Sequence, residues 1–441
     1  MATLALVHNL FTQHLNTLPT HRWFGQVRSV LGLLIEVEGL SEKASLGSTM
    51  RIDRQDKPPL LAEVVGFKEG ITLVMGYGFL EGIKPRARVE LLKTGLNVYP
   101  TLAWQGRVLD GLCRPLDHKG PLPQGDTAYF VKSTPPPAHT RLRTQETMDL
   151  GIKAINTFAT CCKGQRMGIF SAAGVGKSTL LGQITRFTKC DVVIIGLIGE
   201  RGREVNEFIE ENLGSEGLKK AIVVVATSDM PALLRRQAAY LTLTLAEYFR
   251  DQKLNVLCVI DSITRFALAQ REIGLSTGEP PTTRGYPPTV FSELPRLLER
   301  AGTTHHQGSI TGIFSILVEG DDHNEPISDT AKSILDGHIV LSKSIAERGR
   351  HPAIDILKSI SRSKPHLEDS NLNAALKARK ILTNYEDIAE MVRLGAYRHG
   401  QSSDIDEAIR LFPKIEDFLN QTNDTPSRLQ ESFTELKAAL L

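Results

Sequence analysis

The chain has 441 residues, 41% apolar and 23% charged, with 52 lysines and arginines against 50 acids for a formal net charge of +2. That length calls for two or three domains, and the near balance of charge gives no global reason to expect nucleic acid or an anionic membrane as partner. Five cysteines at no metal-knuckle spacing, no apolar run near the ~18 residues of a membrane span, and an N-terminus without a basic n-region point to a protein made and kept in the cytoplasm.

In residues 1–20, Leu4, Val7, Phe11, Leu15 and Leu18 fall at helical spacing. The expected amphipathic helix either packs on its own domain or serves as a handle for a partner helix or a membrane surface. Residues 21–95 change texture. The runs "GQVRSV", "LLIEVEGL", "LAEVVGF", "ITLVMGY" and "ARVELL" alternate with Gly, Pro and charged turns, which predicts a small β-barrel or sandwich. "TPPPAHTR", residues 134–141, has the stiffness of a linker.

Across residues 96–364 strand-like and helix-like segments alternate. "QRMGIFSA" leads into a helix from Lys177, "DVVIIGLIGE" into "REVNEFIEENLG", "KAIVVVATS" into "PALLRRQAAYLTLTLAEYFRD", and "NVLCVID" into "SITRFALAQRE". Near-continuous apolar strands between helices describe a parallel α/β sheet covered on both faces. Over residues 365–441 the periodicity turns helical, predicting a C-terminal helical domain, and no internal repeat is visible.

"FSAAGVGKSTLL", residues 170–181, follows an apolar strand and opens a helix, the setting of a phosphate-binding loop. Ser171 stands where the usual pattern has glycine; it is small enough for the strand end, and its hydroxyl is available to bond the loop backbone. Ala173, Gly174, Val175 and Gly176 bring main-chain N–H groups to phosphate at a helix N-terminus. Lys177 reaches the β- and γ-phosphates, Ser178 ligates Mg²⁺, and Thr179 contacts the inner phosphates or caps the helix.

Asp261 ends an apolar strand, where it holds Mg²⁺ through water or merely caps the next helix. Glu200 ends another such strand, as a general base for the attacking water or as an ion-pair partner of Arg201 or Arg203. Arg362, in "SISR", is a surface or interface residue, or a guanidinium offered to the γ-phosphate of a neighbouring subunit.

Taken together, "GERGREV", "LRRQAAYLTLTLAEYFRDQ", "VIDSITRFALAQREI", "GEPPTTRGYPPTVFSELPRLLERAG" and "LDGHIVLSKSIAERGRHPAIDILKSISR" resemble the rotary-type ATPase superfamily that includes the F-type ATP synthase β subunit. Within it the sequence is most similar to the flagellar type III export ATPases, from near Gly25 to about Gly400. "AEYFRDQ", "GEPPTTRGYPP" and "YEDIAEMVRLGAY" resemble the export branch, and "EGLKKAIVVVATSDMPALLRRQAAY" sits closer to flagellar than to injectisome sequences.

The resemblance implies an N-terminal β-barrel, a central P-loop (RecA-like) domain and a C-terminal helical domain. It implies hydrolysis of Mg-ATP in a homohexameric ring that helps deliver and unfold flagellar export substrates, an injectisome ATPase being the alternative. Lys177 and Ser178 then bind phosphate and Mg²⁺, Glu200 is the catalytic glutamate, Arg201 the phosphate-side arginine after it, Asp261 the Walker B aspartate, and Arg362 the finger acting across subunits. His351 replaces the tyrosine that stacks on adenine in the family; an imidazole offers less stacking area. "SISRSKP" also departs from the family, which tends to carry an apolar pair after the arginine.

The partners implied are a negative regulator bound through the N-terminal helix, a central stalk, export gate proteins, and export chaperones with their substrates, at a peripheral position on the inner membrane. Intact Lys177, Glu200 and Asp261 speak against a non-catalytic scaffold subunit. The near-neutral charge and the lack of an aromatic-plus-basic platform speak against a nucleic-acid translocase.

Overall fold

The computed structural model describes residues 21–441 apart from 143–144, 306–307, 319–324 and 364. The helix expected over residues 1–20 lies outside the described residues. Two compact units divide the chain, one reaching to Leu96 and the other comprising most of the chain from Asn97 onward.

In the first unit β1 (Trp23–Leu31), β2 (Leu34–Glu38), β3 (Ser48–Arg54), β4 (Lys57–Lys68), β5 (Ile71–Gly76) and β6 (Arg88–Thr94) close an antiparallel barrel in the order β1-β2-β5-β4-β3-β6. Alternate side chains fill it, among them Val27, Val37, Met50, Ile52, Val64, Val74 and Val89. Strand β3 is not foreseen from the sequence. It buries Met50 and Ile52 while Arg51 and Asp53 face water, and all its other residues are polar too, so the run lacks the apolar density of its neighbours.

The second unit is built on β7 (Val108–Asp110), β8 (Arg166–Ser171), β9 (Val192–Ile198), β10 (Ala221–Ala226), β11 (Asn255–Asp261), β12 (Ser309–Leu317), β13 (Gly337–Leu341) and β14 (Ile354–Ser361). They pair in the order β14-β13-β8-β12-β11-β9-β10-β7, parallel throughout except for β14, which runs antiparallel on the edge. The all-apolar β9 and β10 are wholly buried, as a sheet covered on both faces requires. Helix α1 (Lys177–Phe187) covers one face with Leu180, Leu181 and Ile184 against Val193, Ile195 and Leu197. Helix α2 (Ala232–Asp251) covers the other, where Thr242 approaches Gly196 so closely that a Cβ there would lie 2.5 Å from its hydroxyl.

Residues 134–141 do not link the two units. They lie within the second, where Arg141 donates to the Glu299 carbonyl at 2.5 Å and bridges to Thr304. The prolines hold this segment extended without offering N–H groups that need partners. Three helices close the chain: α4 (Asp369–Arg393), α5 (Ser403–Leu419) and α6 (Leu429–Ala439), with α3 (Ile263–Ser276) preceding them in the sheet region. Ala378, Ile381, Leu411 and Phe433 join the same core as α1, so the C-terminal helices share the apolar interior of the α/β sheet.

Candidate active site

Strand β8 carries the chain to the carboxyl edge of the sheet, and α1 begins six residues past its end at Lys177. Gly174 and Gly176 take φ of 77° and 89°. Nothing lies within 4 Å of a Cβ built on either, so the left-handed backbone rather than crowding selects glycine. Val175 is buried and pins the loop, while Ala173 and Ser178 are exposed and Thr179 is half-buried. Among the described residues no side chain caps α1, which leaves the N–H groups of its first turn and their partial positive charge for a ligand. Ser171 corrects one expectation. Its hydroxyl is buried and has no hydrogen-bond partner among the described residues, so serine is accommodated by size and not by a bond to the loop.

Both strand-edge carboxylates converge on Lys177. Its ammonium hydrogen-bonds Asp261 Oδ1 and lies 3.5 Å from Glu200 Oε1. Asp261 is 2% exposed, and its Oδ1 also accepts from the Ser315 hydroxyl at 2.5 Å. Burial pushes the Glu200 carboxyl up to about 7; the charge of Asp261 adds to the rise and Lys177 opposes it. Burial also disfavours the Lys177 cation, but Asp261 and Glu200 outweigh it and hold the ammonium above its ordinary range.

The competing structural roles do not apply. Ser262, not Asp261, caps α3, accepting the Arg265 N–H at 3.3 Å. Arg203 pairs with Glu207 at 2.6 Å, and Arg201 with Glu204 at 3.5 Å, so neither is the ion-pair partner of Glu200. The Arg201 guanidinium is 82% exposed and turned to Glu204, which itself hydrogen-bonds Glu200.

Two further residues belong to the cluster and escape the sequence. Ser315 sits in the apolar run "GIFSILV" of β12, beside β11, and only the strand pairing places its hydroxyl at Asp261. Arg265 lies one helical turn past Asp261. Its charge lowers the Glu200 carboxyl's affinity for a proton, and its buried Nε has no hydrogen-bond partner among the described residues. "DSITR" reads as the start of a buried helix, and the cation on its first turn was the available signal.

A cavity of about 490 Å³ adjoins the loop, lined by Val175, Thr179, Gln183, His351, Pro352 and Asn420 among others. His351 donates its N–H to Asn420 Oδ1 at 3.2 Å, and its carbonyl accepts the Gln421 N–H at 2.7 Å. Next to it Arg350 is buried, bonded to the Ile354 carbonyl at 2.6 Å and to Glu416 at 3.2 Å. The far wall of this cavity thus hangs from the end of α5, a contribution invisible before the fold is known.

Arg362 is exposed and lies at the opposite end of the sheet. Its N–H donates to the Asp336 carbonyl at 2.8 Å, and Asp336 N–H donates to the carbonyl of Arg166, the first residue of β8. The loop leaves the last residue of β8, Ser171, five strand rises or roughly 16 Å away. Arg362 therefore cannot serve the loop of its own chain.

For a divalent cation the site offers hard oxygen donors, the Ser178 hydroxyl and the Asp261 carboxylate. They suit Mg²⁺, which takes few protein ligands and completes its shell with water and phosphate oxygens. Among the described residues no helix is long and apolar enough to cross a membrane.

The nucleotide-binding domain of the ATP synthase alpha/beta family matches residues 151–361, that family's β-barrel domain residues 27–93, and the T3SS EscN ATPase C-terminal domain residues 367–438. The chain is 53% identical to the flagellum-specific ATP synthase of Caulobacter vibrioides, over 93% of this chain and 94% of that protein. It is 44% identical to the type 3 secretion system ATPase of Xanthomonas euvesicatoria, over 98% and 97%. The assembled ATPase EscN of the enteropathogenic E. coli type III secretion system superposes with a TM-score of 0.88 at 38% identity, covering 95% of this chain and all of EscN. EscN in complex with its central stalk EscO gives 0.86 at 37%, over the same 95% of this chain. A phosphate loop facing two carboxylates, on this three-part frame and with these relatives, makes the chain an ATPase of the flagellum-specific and type III secretion family, built on the ATP synthase alpha/beta plan.

Proposed function

We propose that the protein hydrolyses Mg-ATP in a homohexameric ring to help deliver and unfold substrates of flagellar type III export. One observation carries the ring: the Lys177–Glu200–Asp261 cluster and Arg362 stand at opposite ends of β8, so a site with all four needs a second subunit. The flagellar relatives favour flagellar export over an injectisome.

In the proposed reaction the loop N–H groups and the Lys177 ammonium bind the phosphates. Ser178 and Asp261 would hold Mg²⁺, which would supply positive charge to offset that of the phosphates. Glu200, whose carboxyl is pushed up to about 7, takes a proton from the attacking water, and Arg265 on the first turn of α3 opposes that rise. Arg362 of the adjacent subunit stabilises charge developing on the γ-phosphoryl group. Arg201, next to Glu200, is the phosphate-side arginine, reaching phosphate by leaving Glu204. His351 lies against the adenine.

Residues 1–20 are proposed to engage a negative regulator and the membrane-associated export machinery, leaving the protein cytoplasmic and peripheral at the inner membrane. A central stalk, as EscN has in EscO, export gate proteins and chaperone-bound substrates complete the partners. No role for nucleic acid is proposed.

Mixed rings test the arrangement. Arg362→Ala should abolish hydrolysis, and mixing with Lys177→Ala subunits should restore part of it, because one interface then joins an intact loop to an intact Arg362. Absence of recovery at every mixing ratio rules out action across subunits.

A further inference from the structure

Arg362 is exposed, but its main chain is held from several sides. Besides its own hydrogen bond to the Asp336 carbonyl, the preceding Ser361 pairs with Gly337 across the β13–β14 edge. That edge leaves no slack: a Cβ on Gly337 would lie 2.6 Å from the Ile360 carbonyl oxygen and 2.7 Å from Met167 Sδ.

Two side chains meet beneath it. Gln165 is 3% exposed, and its amide donates to the Ser361 hydroxyl at 2.9 Å and to the same Asp336 carbonyl at 3.3 Å. Its oxygen accepts the Cys162 N–H at 2.8 Å, which fixes which way the amide points. The Asp336 carboxylate is gripped by Arg166, from Nε and the main-chain N–H at 3.0 Å each and from Nη2 at 2.9 Å. Held through both its carbonyl and its carboxylate, Asp336 has little freedom even though its side chain is 34% exposed.

We propose that Gln165 and Asp336 are positioning residues for Arg362, fixing the point from which its guanidinium leaves the sheet edge toward the neighbouring subunit's nucleotide. This rests on the reading of Arg362 as a finger acting across the subunit interface. An arginine tip stands several rotatable bonds from its Cα, so a loose main chain multiplies its positional error. A misplacement of about 1 Å in a transition-state group costs on the order of 100-fold in rate. Gln165 directly precedes β8, whose far end carries the chain's own phosphate loop. One strand therefore supports both the group lent to one site and the loop of the next.

The test uses full-length rings. Gln165→Leu should lower kcat roughly 10-fold while KM for ATP stays within about 2-fold, since the residue's own loop is intact. Rings mixed from Gln165→Leu and Lys177→Ala subunits should exceed the weighted mean of the two parents, as Arg362→Ala mixtures should. Ser361→Ala, half-buried and outside the core, removes one partner of the Gln165 amide; it should reproduce a smaller kcat loss with the same recovery even if Gln165→Leu folds poorly. If Arg362→Ala mixtures recover but neither of these does, or if KM rises with the kcat loss, Gln165 serves its own subunit and the proposal is wrong. If Arg362→Ala mixtures do not recover either, the trans assignment itself has failed and takes this proposal with it.

Discussion

Lys177 Nζ lies 3.5 Å from Glu200 Oε1 while hydrogen-bonding Asp261, so a single ammonium ties the phosphate loop to both strand-edge carboxylates. The three charges are interdependent. Removing the cation leaves Asp261, 2% exposed, with only the Ser315 hydroxyl of these partners. Lys177→Ala should therefore do more than abolish turnover. Breaking a buried ion pair from one side costs about 3–5 kcal/mol, here reduced by the partial exposure of Glu200 to roughly 2–3 kcal/mol. Denaturant unfolding of the nucleotide-free proteins measures it. Lys177 opposes the rise of the Glu200 carboxyl, so without the cation folded Glu200 holds its proton more tightly still than in the unfolded chain, and the deficit should shrink as pH falls from 8 toward 6. A deficit that grows with acidity contradicts the charge argument.

The Glu200 carboxyl, pushed up to about 7 by burial and by Asp261, gives a pH signature. A general base works in its ionised form, and for a raised carboxyl that form is lost as pH falls through the raised value. The profile of kcat/KM for ATP should therefore climb with a slope near one below pH 7 and flatten above it. Glu200→Gln should lose about 100-fold or more in kcat, the usual share of a general base, while binding ATP within a few-fold of the parent. Its residual rate should be flat over the same pH range. Phosphate release from pH 5.5 to 8.5 decides this, and an unchanged limb in Glu200→Gln assigns the titration elsewhere.

Legibility in the sequence tracks the range of interaction. The loop, its helix and the strand ends at Glu200 and Asp261 are local patterns, and local patterning carried them into the correct elements. Strand β3 escapes the sequence because its outward Arg51 and Asp53 dilute the apolar signal, and the linker-like stiffness of residues 134–141 does not tell a linker from a surface segment, since prolines stiffen both. Ser315, Asn420 and the Gln165–Asp336 support of Arg362 depend on strand order and on helices packing back against the sheet. Those contacts join residues more than fifty positions apart in every case, and no window of sequence contains them.

Gly199 gives a test of backbone geometry beside the base. It adopts φ of 70°, its N–H donates to the Ala226 carbonyl at 2.6 Å, and the next carbonyl, that of Glu200, accepts the Ser228 N–H at 3.0 Å. A Cβ on Gly199 would lie 2.7 Å from Arg265 Cβ and 3.0 Å from its Cγ. Gly199→Ala should cost about 1–3 kcal/mol from the left-handed backbone. It should also slow hydrolysis, because relief of the contact moves Arg265 or Glu200. Gly202→Ala is the control three residues on: it has helical backbone and nothing within 4 Å of a Cβ, so its stability should match or exceed the parent's by up to about 1 kcal/mol. Equal losses in the two variants would mean that general disturbance of "GERG", and not the crowding at Arg265, sets the effect.

His351 is exposed at the cavity of about 490 Å³ beside the loop, and its main chain is fixed by Asn420 and Gln421. The ring is free to change size without disturbing those bonds, so His351→Tyr enlarges the stacking surface alone. An aromatic pair is worth about 0.5–1.5 kcal/mol beyond area, and replacing imidazole by phenol should recover part of that, lowering KM for ATP roughly 2- to 5-fold. The adenine is remote from the reacting bond and contacts the same group before and during reaction, so kcat should stay within about 2-fold. His351→Ala should move KM the other way with the same constancy of kcat. If both substitutions change kcat and leave KM in place, His351 acts on the turnover step, through Asn420 and α5, and the base is held elsewhere in the cavity.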